Sequence, residues 1–180
     1  MVFPEFVNNK TDIAILNSFN EEFSHAAIDI CPLLSKFQII IVNHYETKYA
    51  SVANLNENDT FAYYLNKESE DASSTYAEII VNKELCDKLL FTGQEYLAAV
   101  AHEIGHIIFY FRSDKELFQG EAEEIVSDSF ACRMGLAHPL STLINKLISS
   151  GLYSDNQIQL MRKRLSIIEY YESNGCFMWG

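Results

Sequence analysis

The sequence predicts an α+β fold: a small mixed or antiparallel sheet of about four strands, an N-terminal helix, an apolar helix carrying His-Glu-Ile-Gly-His, an acidic helix after it, and C-terminal helices. Two observations predict it. Four short runs rich in β-branched and aromatic residues fall within residues 37–82, and apolar residues recur at helical spacing through most of 93–173. With no repeat, low-complexity tract or linker, the 180 residues are read as a single domain spanning 1–180, long enough for a substantial core.

The elements follow in order. Ile13, Leu16, Phe19, Phe23, Ala26, Ala27 and Ile30 predict a helix that stops before Cys31-Pro32. Phe37 to Asn43 reads as a buried strand, and Tyr49 to Leu55 and Phe61 to Leu65 as two more, with a turn at 56–59. A polar loop, Glu68 to Ser74, precedes a fourth strand, Tyr76 to Asn82, of which Ala77 to Asn82 is either an ordinary sheet strand or an edge for pairing with an extended peptide by strand addition. Thr92-Gly93-Gln94-Glu95 is a capping box that opens a helix at about residue 93, and Leu97, Val100, Ala101, Ile104, Ile108 and Phe111 give it an apolar period. Arg112 to Glu116 and Gly120 mark a turn into a second amphipathic helix carrying Ala122, Ile125, Val126, Ser129, Phe130 and Met134. A short helix is expected from Leu140 to Ile148, ending at Gly151. Ser154 and Gln157 form a further capping box, for a helix with Ile158, Met161, Leu165 and Ile168 on one face, ending near Ser173. Arg162, Lys163 and Arg164 are read as its solvated face.

The apolar helix is polar only at His102, Glu103 and His106. Polar groups in a core helix are costly unless something satisfies them. Histidines at i and i+4 share a helix face and can grip one zinc ion, while the glutamate between them can act as general base toward a water that the metal activates. Gly105, costly in mid-helix, either lets a second element approach the metal or serves ordinary tight packing.

Two histidines and a water leave a tetrahedral zinc one protein ligand short. Glu121, Glu123, Glu124 and Asp128 follow on the next helix, where Glu121, Glu124 and Asp128 share a face. Side-by-side packing of the two helices would aim Glu124 at the histidines, with Glu121 and Glu123 as alternatives.

His102 to His106 followed by Glu124-Ile125-Val126-Ser127-Asp128 resembles the H-E-x-x-H plus E-x-x-[AS]-D arrangement of the gluzincin metallopeptidases. The resemblance implies a zincin-like fold, zinc held by His102, His106 and Glu124, Glu103 as the base, and Asp128 orienting a ligand histidine. Ser127-Asp128-Ser129-Phe130-Ala131, with Pro139 beyond, is similar to the ImmA/IrrE-like proteins, although Met134 to Pro139 is longer than their usual ending. There is no third histidine at metzincin spacing.

Net charge of −12 argues against nucleic acid or an anionic membrane as partner. It is compatible with a basic polypeptide substrate, although an acidic surface also serves solubility alone. The partner expected from the metal motif is a polypeptide or protein substrate. Cys31, Cys86, Cys132 and Cys176 form no C-x-x-C pair and so no cysteine zinc site. Residues 1–15 lack a basic n-region and a continuous apolar h-region, and no run reaches transmembrane length, so a cytoplasmic protein is expected.

The expected activity is a zinc-dependent metallopeptidase with Glu103 as general base. The alternative is a non-cleaving zinc-binding regulatory or protein-interaction domain. Tyr153, Tyr170, Tyr171, Arg133 and His138 are candidates for stabilising an oxyanion, and spacing does not choose among them.

Overall fold

The computed structural model describes residues 21–49, 53, 57–66, 76–111 and 120–174, which form two compact units, 1–88 and 89–180. The predicted helix residues before 21, the loop 68–74, the turn residues 112–116 and the C-terminal tail lie outside the described residues. No helix among the described residues is long and apolar enough to cross a membrane.

The first unit is mixed α+β. Helix α1 (Glu21–Ile30) runs into a 3-10 turn (Pro32–Lys36), where Pro32 supplies the fixed φ that favours the start of a helical turn. Strands β1 (Gln38–Asn43), β2 (Phe61–Asn66) and β3 (Tyr76–Val81) make a three-stranded sheet in the order β1-β3-β2, with β1 parallel and β2 antiparallel to β3. The sheet is therefore mixed, and three strands replace the expected four among the described residues.

Of the expected strand Tyr49 to Leu55, only Tyr49 and Ala53 are among the described residues. Both lie in turns: Thr47 Oγ1 accepts from the Tyr49 amide, and the Ala53 amide donates to the Tyr49 carbonyl at 2.8 Å. Strand β3 is not an open edge either. Both its neighbours are paired in register along its whole length, so strand addition to residues 77–82 is ruled out in this fold. Asn82, expected as the end of β3, instead begins the short helix α2 (Lys83–Lys88), its Oδ1 accepting from the Leu85 amide at 3.2 Å.

The second unit is helical: α3 (Gly93–Tyr110), α4 (Glu121–Arg133), α5 (Ala137–Ser149) and α6 (Asp155–Asn174). The capping box of α3 is formed in both directions, Glu95 N–H to Thr92 Oγ1 at 3.3 Å and Thr92 N–H to Glu95 Oε2 at 2.6 Å. Lys146 of α5 bonds the same Glu95 oxygen at 2.7 Å and the Leu90 carbonyl at 2.6 Å, fixing the start of α3 against α5. Helix α5 starts at Ala137, three residues earlier than expected, because Pro139 occupies its first turn, where a missing N–H costs nothing. Helix α6 opens as expected, with Ser154 N–H donating to Gln157 Oε1 at 3.0 Å. Helix α3 packs on α4 and α5, and α6 on α4 and α5.

Candidate metal centre

Helices α3 and α4 meet at Gly105. A β-carbon there would lie 2.5 Å from Ser127 Cα and 2.9 Å from the Ser127 carbonyl oxygen, so only glycine allows this approach. The close contact sets one helical turn of α3, His102 to His106, against one turn of α4, Glu123 to Asp128. Ser127 is fully buried in the contact, its hydroxyl donating to the Glu123 carbonyl at 3.0 Å.

The two histidines turn their Nε2 atoms toward each other, 3.0 Å apart, and toward Glu124. His102 Nε2 lies 3.5 Å from Glu124 Oε2, and His106 Nε2 lies 3.5 Å from Glu124 Oε1. Two nitrogen ligands on one tetrahedral zinc, each at roughly 2.0–2.1 Å, stand about 3.3 Å apart. The spacing of the three side chains thus fits a single shared cation, and His102, His106 and Glu124 form a group able to hold a metal ion.

The other ring nitrogens are committed to carboxylates. His102 Nδ1 lies 2.8 Å from Asp128 Oδ1, and His106 Nδ1 lies 3.0 Å from Glu123 Oε1. A histidine that gives its Nδ1–H to a carboxylate presents Nε2 as a lone pair in a fixed orientation, the usual arrangement around a protein-bound metal. Glu123, an alternative ligand on sequence grounds, supports His106 in this way. Glu121 is exposed and pairs with Lys163 at 2.9 Å, away from the histidines.

Arg164 of α6 completes the cluster, contrary to its reading as a solvated charge. Its Nε and Nη2 hold Asp128 Oδ2 and Oδ1, both at 2.7 Å, and its Nη1 holds Glu124 Oε2 at 2.7 Å. The side chain is 12% exposed, whereas Arg162 and Lys163 beside it are open to solvent as expected. The signal was in the sequence. Met161, Arg164, Leu165 and Ile168 stand at i, i+3, i+4 and i+7, so Arg164 shares the buried face of α6. Of the candidates for oxyanion stabilisation, Arg133 and Tyr170 are exposed, and the His138 side chain is 85% exposed beside Glu172.

The electrostatics follow from burial and pairing. Burial pushes the Glu103 carboxyl above its ordinary range, against the opposing pull of His106 and His102. Burial would do the same to Asp128 and Glu124. Arg164 and His102 outweigh it at Asp128, and His102, Arg164 and His106 outweigh it at Glu124, so both are held below the usual carboxylate range. The result is two ionised carboxylates committed to positive groups and one buried carboxyl, Glu103, with raised proton affinity. Such a separation of roles is what acid–base chemistry requires of neighbouring carboxyl groups.

No protein-family model matches the chain, and no curated protein or solved structure matches it significantly.

Proposed function

We propose that this chain is a zinc-dependent hydrolase of the metallopeptidase type, with His102, His106 and Glu124 holding the ion, Glu103 as general base, and a polypeptide as substrate. The observation that carries the reading is the convergence of three metal-type ligands from two helices beside a buried glutamate, Glu103, that is not one of them. The resemblance to gluzincins supports it, because the residues it singles out are the ones that meet in space. The His₂-carboxylate donor set suits zinc and leaves a position for a non-protein ligand. A structural zinc site would use four protein ligands and no base.

When bound, zinc supplies Lewis acidity that polarises a carbonyl and makes water a competent nucleophile near neutral pH. The protein's residues do the rest. Glu103, its basicity raised by burial, takes the proton of the attacking water and returns it to the departing amine. Asp128 and Glu123 hold the two imidazoles in orientation through Nδ1. A cytoplasmic location is part of the same reading.

Elemental analysis of the untagged protein, set beside Glu124→Ala, tests the site. One zinc per chain, lost or weakened in the variant, is the expected result. A parent that stays metal-free when zinc is supplied would overturn the proposal. One zinc bound by a parent that cleaves no peptide in a diverse pool would make it a non-cleaving zinc-binding domain.

A further inference from the structure

We infer that Arg164 is the positioning residue that assembles the ligand set before the metal arrives, its guanidinium standing in for the charge of the ion. The inference rests on the metal-centre reading above and adds to it how the site exists without its metal.

Helix α4 brings Glu123, Glu124 and Asp128 against the histidines of α3, with Glu124 near enough to act on Glu103, and Asp128 is only 1% exposed. Like charges crowded in a buried site repel, and each would rather protonate or move apart. A bound cation removes that conflict, but a chain must fold before it has a formed site to offer. Arg164 resolves the conflict from within. One planar fork spans two carboxylates a helical turn apart, with two bonds to Asp128 and one to Glu124. Nη2 also lies 3.4 Å from His102 Nδ1. The fork is rigid and always charged, so it fixes direction as well as charge, which the point charge of a lysine would not do. With Oε2 of Glu124 held by Arg164, Oε1 is left toward His106 Nε2. The arginine comes from α6, the last described helix, so the site is set only when α6 has docked on α4.

This assigns Arg164 a role that zinc can partly replace, and that is what separates it from a merely structural ion pair. The test is thermal unfolding of the parent, Arg164→Gln and Arg164→Lys, each as metal-free and zinc-loaded full chain, with zinc content measured on every sample. In the metal-free state the Gln variant should melt roughly 10 °C or more below the parent, as expected when one partner of a buried pair is removed. With zinc loaded the deficit should fall to less than half. The Lys variant should lie between, keeping the charge and losing the fork. A Gln variant that folds only with zinc supports the inference in its strongest form. If it folds in neither state, the Lys variant carries the same comparison. A parent that binds one zinc, with variants whose deficit is the same loaded and metal-free or absent in both, overturns the Arg164 role and leaves the metal centre standing. A parent that takes up no zinc overturns both.

Discussion

Gly105 faces the backbone of Ser127 so closely that a single added methyl group would sit 2.5 Å from Ser127 Cα. This contact, more than any polar interaction, decides how near α4 comes to α3, and hence whether Glu124 reaches the histidines. Gly105→Ala gains about 1 kcal/mol in helix propensity and loses more by overpacking, because the obstacle is backbone and cannot rotate away. The expected net loss is about 1–3 kcal/mol, with weakened zinc binding as the helices part. Gly93→Ala at the start of the same helix meets nothing within 4 Å and should be neutral or slightly stabilising. Urea unfolding and zinc titration of the two variants check the contrast. Equal behaviour would show that the contact at Gly105 is not critical.

Glu103→Gln keeps the shape of the side chain and removes its basicity. Because Glu103 is no ligand in the proposed site, zinc stoichiometry should be unchanged while peptide hydrolysis falls at least ~100-fold, as for loss of a general base. Zinc content and turnover are measured on the same preparation. A variant that cleaves as fast as the parent removes Glu103 from the mechanism.

Much of this centre was legible in the sequence because helical periodicity fixes which side chains share a face. The capping box at Thr92 placed the start of α3, and i, i+4 spacing paired His102 with His106. What escaped depended on a third helix distant in sequence. Arg164 was read by its charge, although its spacing from Met161 and Ile168 puts it on the buried face. Glu123 stays an alternative to Glu124 as ligand because sequence cannot tell which ring nitrogen a carboxylate meets. In the first unit, β-rich composition predicts a strand at 49–55, yet Tyr49, one of the two residues described there, lies in a turn, its amide donating to Thr47 Oγ1. Pairing is not legible either: the sequence leaves residues 77–82 open as an ordinary sheet strand or an edge for strand addition, and both sides of β3 are occupied.

Asp128→Asn tests the support of His102. The carboxylate is buried and carries both a ring N–H and two guanidinium bonds, so its loss strands Arg164 as well as loosening the imidazole. Zinc affinity should fall ~10- to 100-fold, in line with outer-shell partners of metal ligands. Stability should drop by about 3–5 kcal/mol, the cost of breaking a buried ion pair from one side. Competition with a chelating dye and chemical denaturation give the two numbers. A large stability loss with unaltered zinc affinity would mean that Asp128 serves the fold and not the metal.

Zinc binding should also be coupled to a proton on His102. Burial and the Arg164 charge act against the imidazolium, but Asp128 and Glu124 outweigh them and hold the metal-free group up at about 10. This folded value lies above the unfolded value of about 6.5, so the proton contributes stability to the metal-free protein that is fully present below about 6.5. That contribution is lost as pH rises through about 10. A metal needs the Nε2 lone pair, so loading must expel the proton. Between about pH 7 and 9, apparent zinc affinity should therefore rise ~tenfold per pH unit on account of His102 alone, with about one proton released per zinc bound. Calorimetric titration in buffers of different ionisation enthalpy measures that release directly. Affinity independent of pH, with no proton released, would show that His102 is already neutral in the metal-free protein and that Asp128 merely accepts its Nδ1–H.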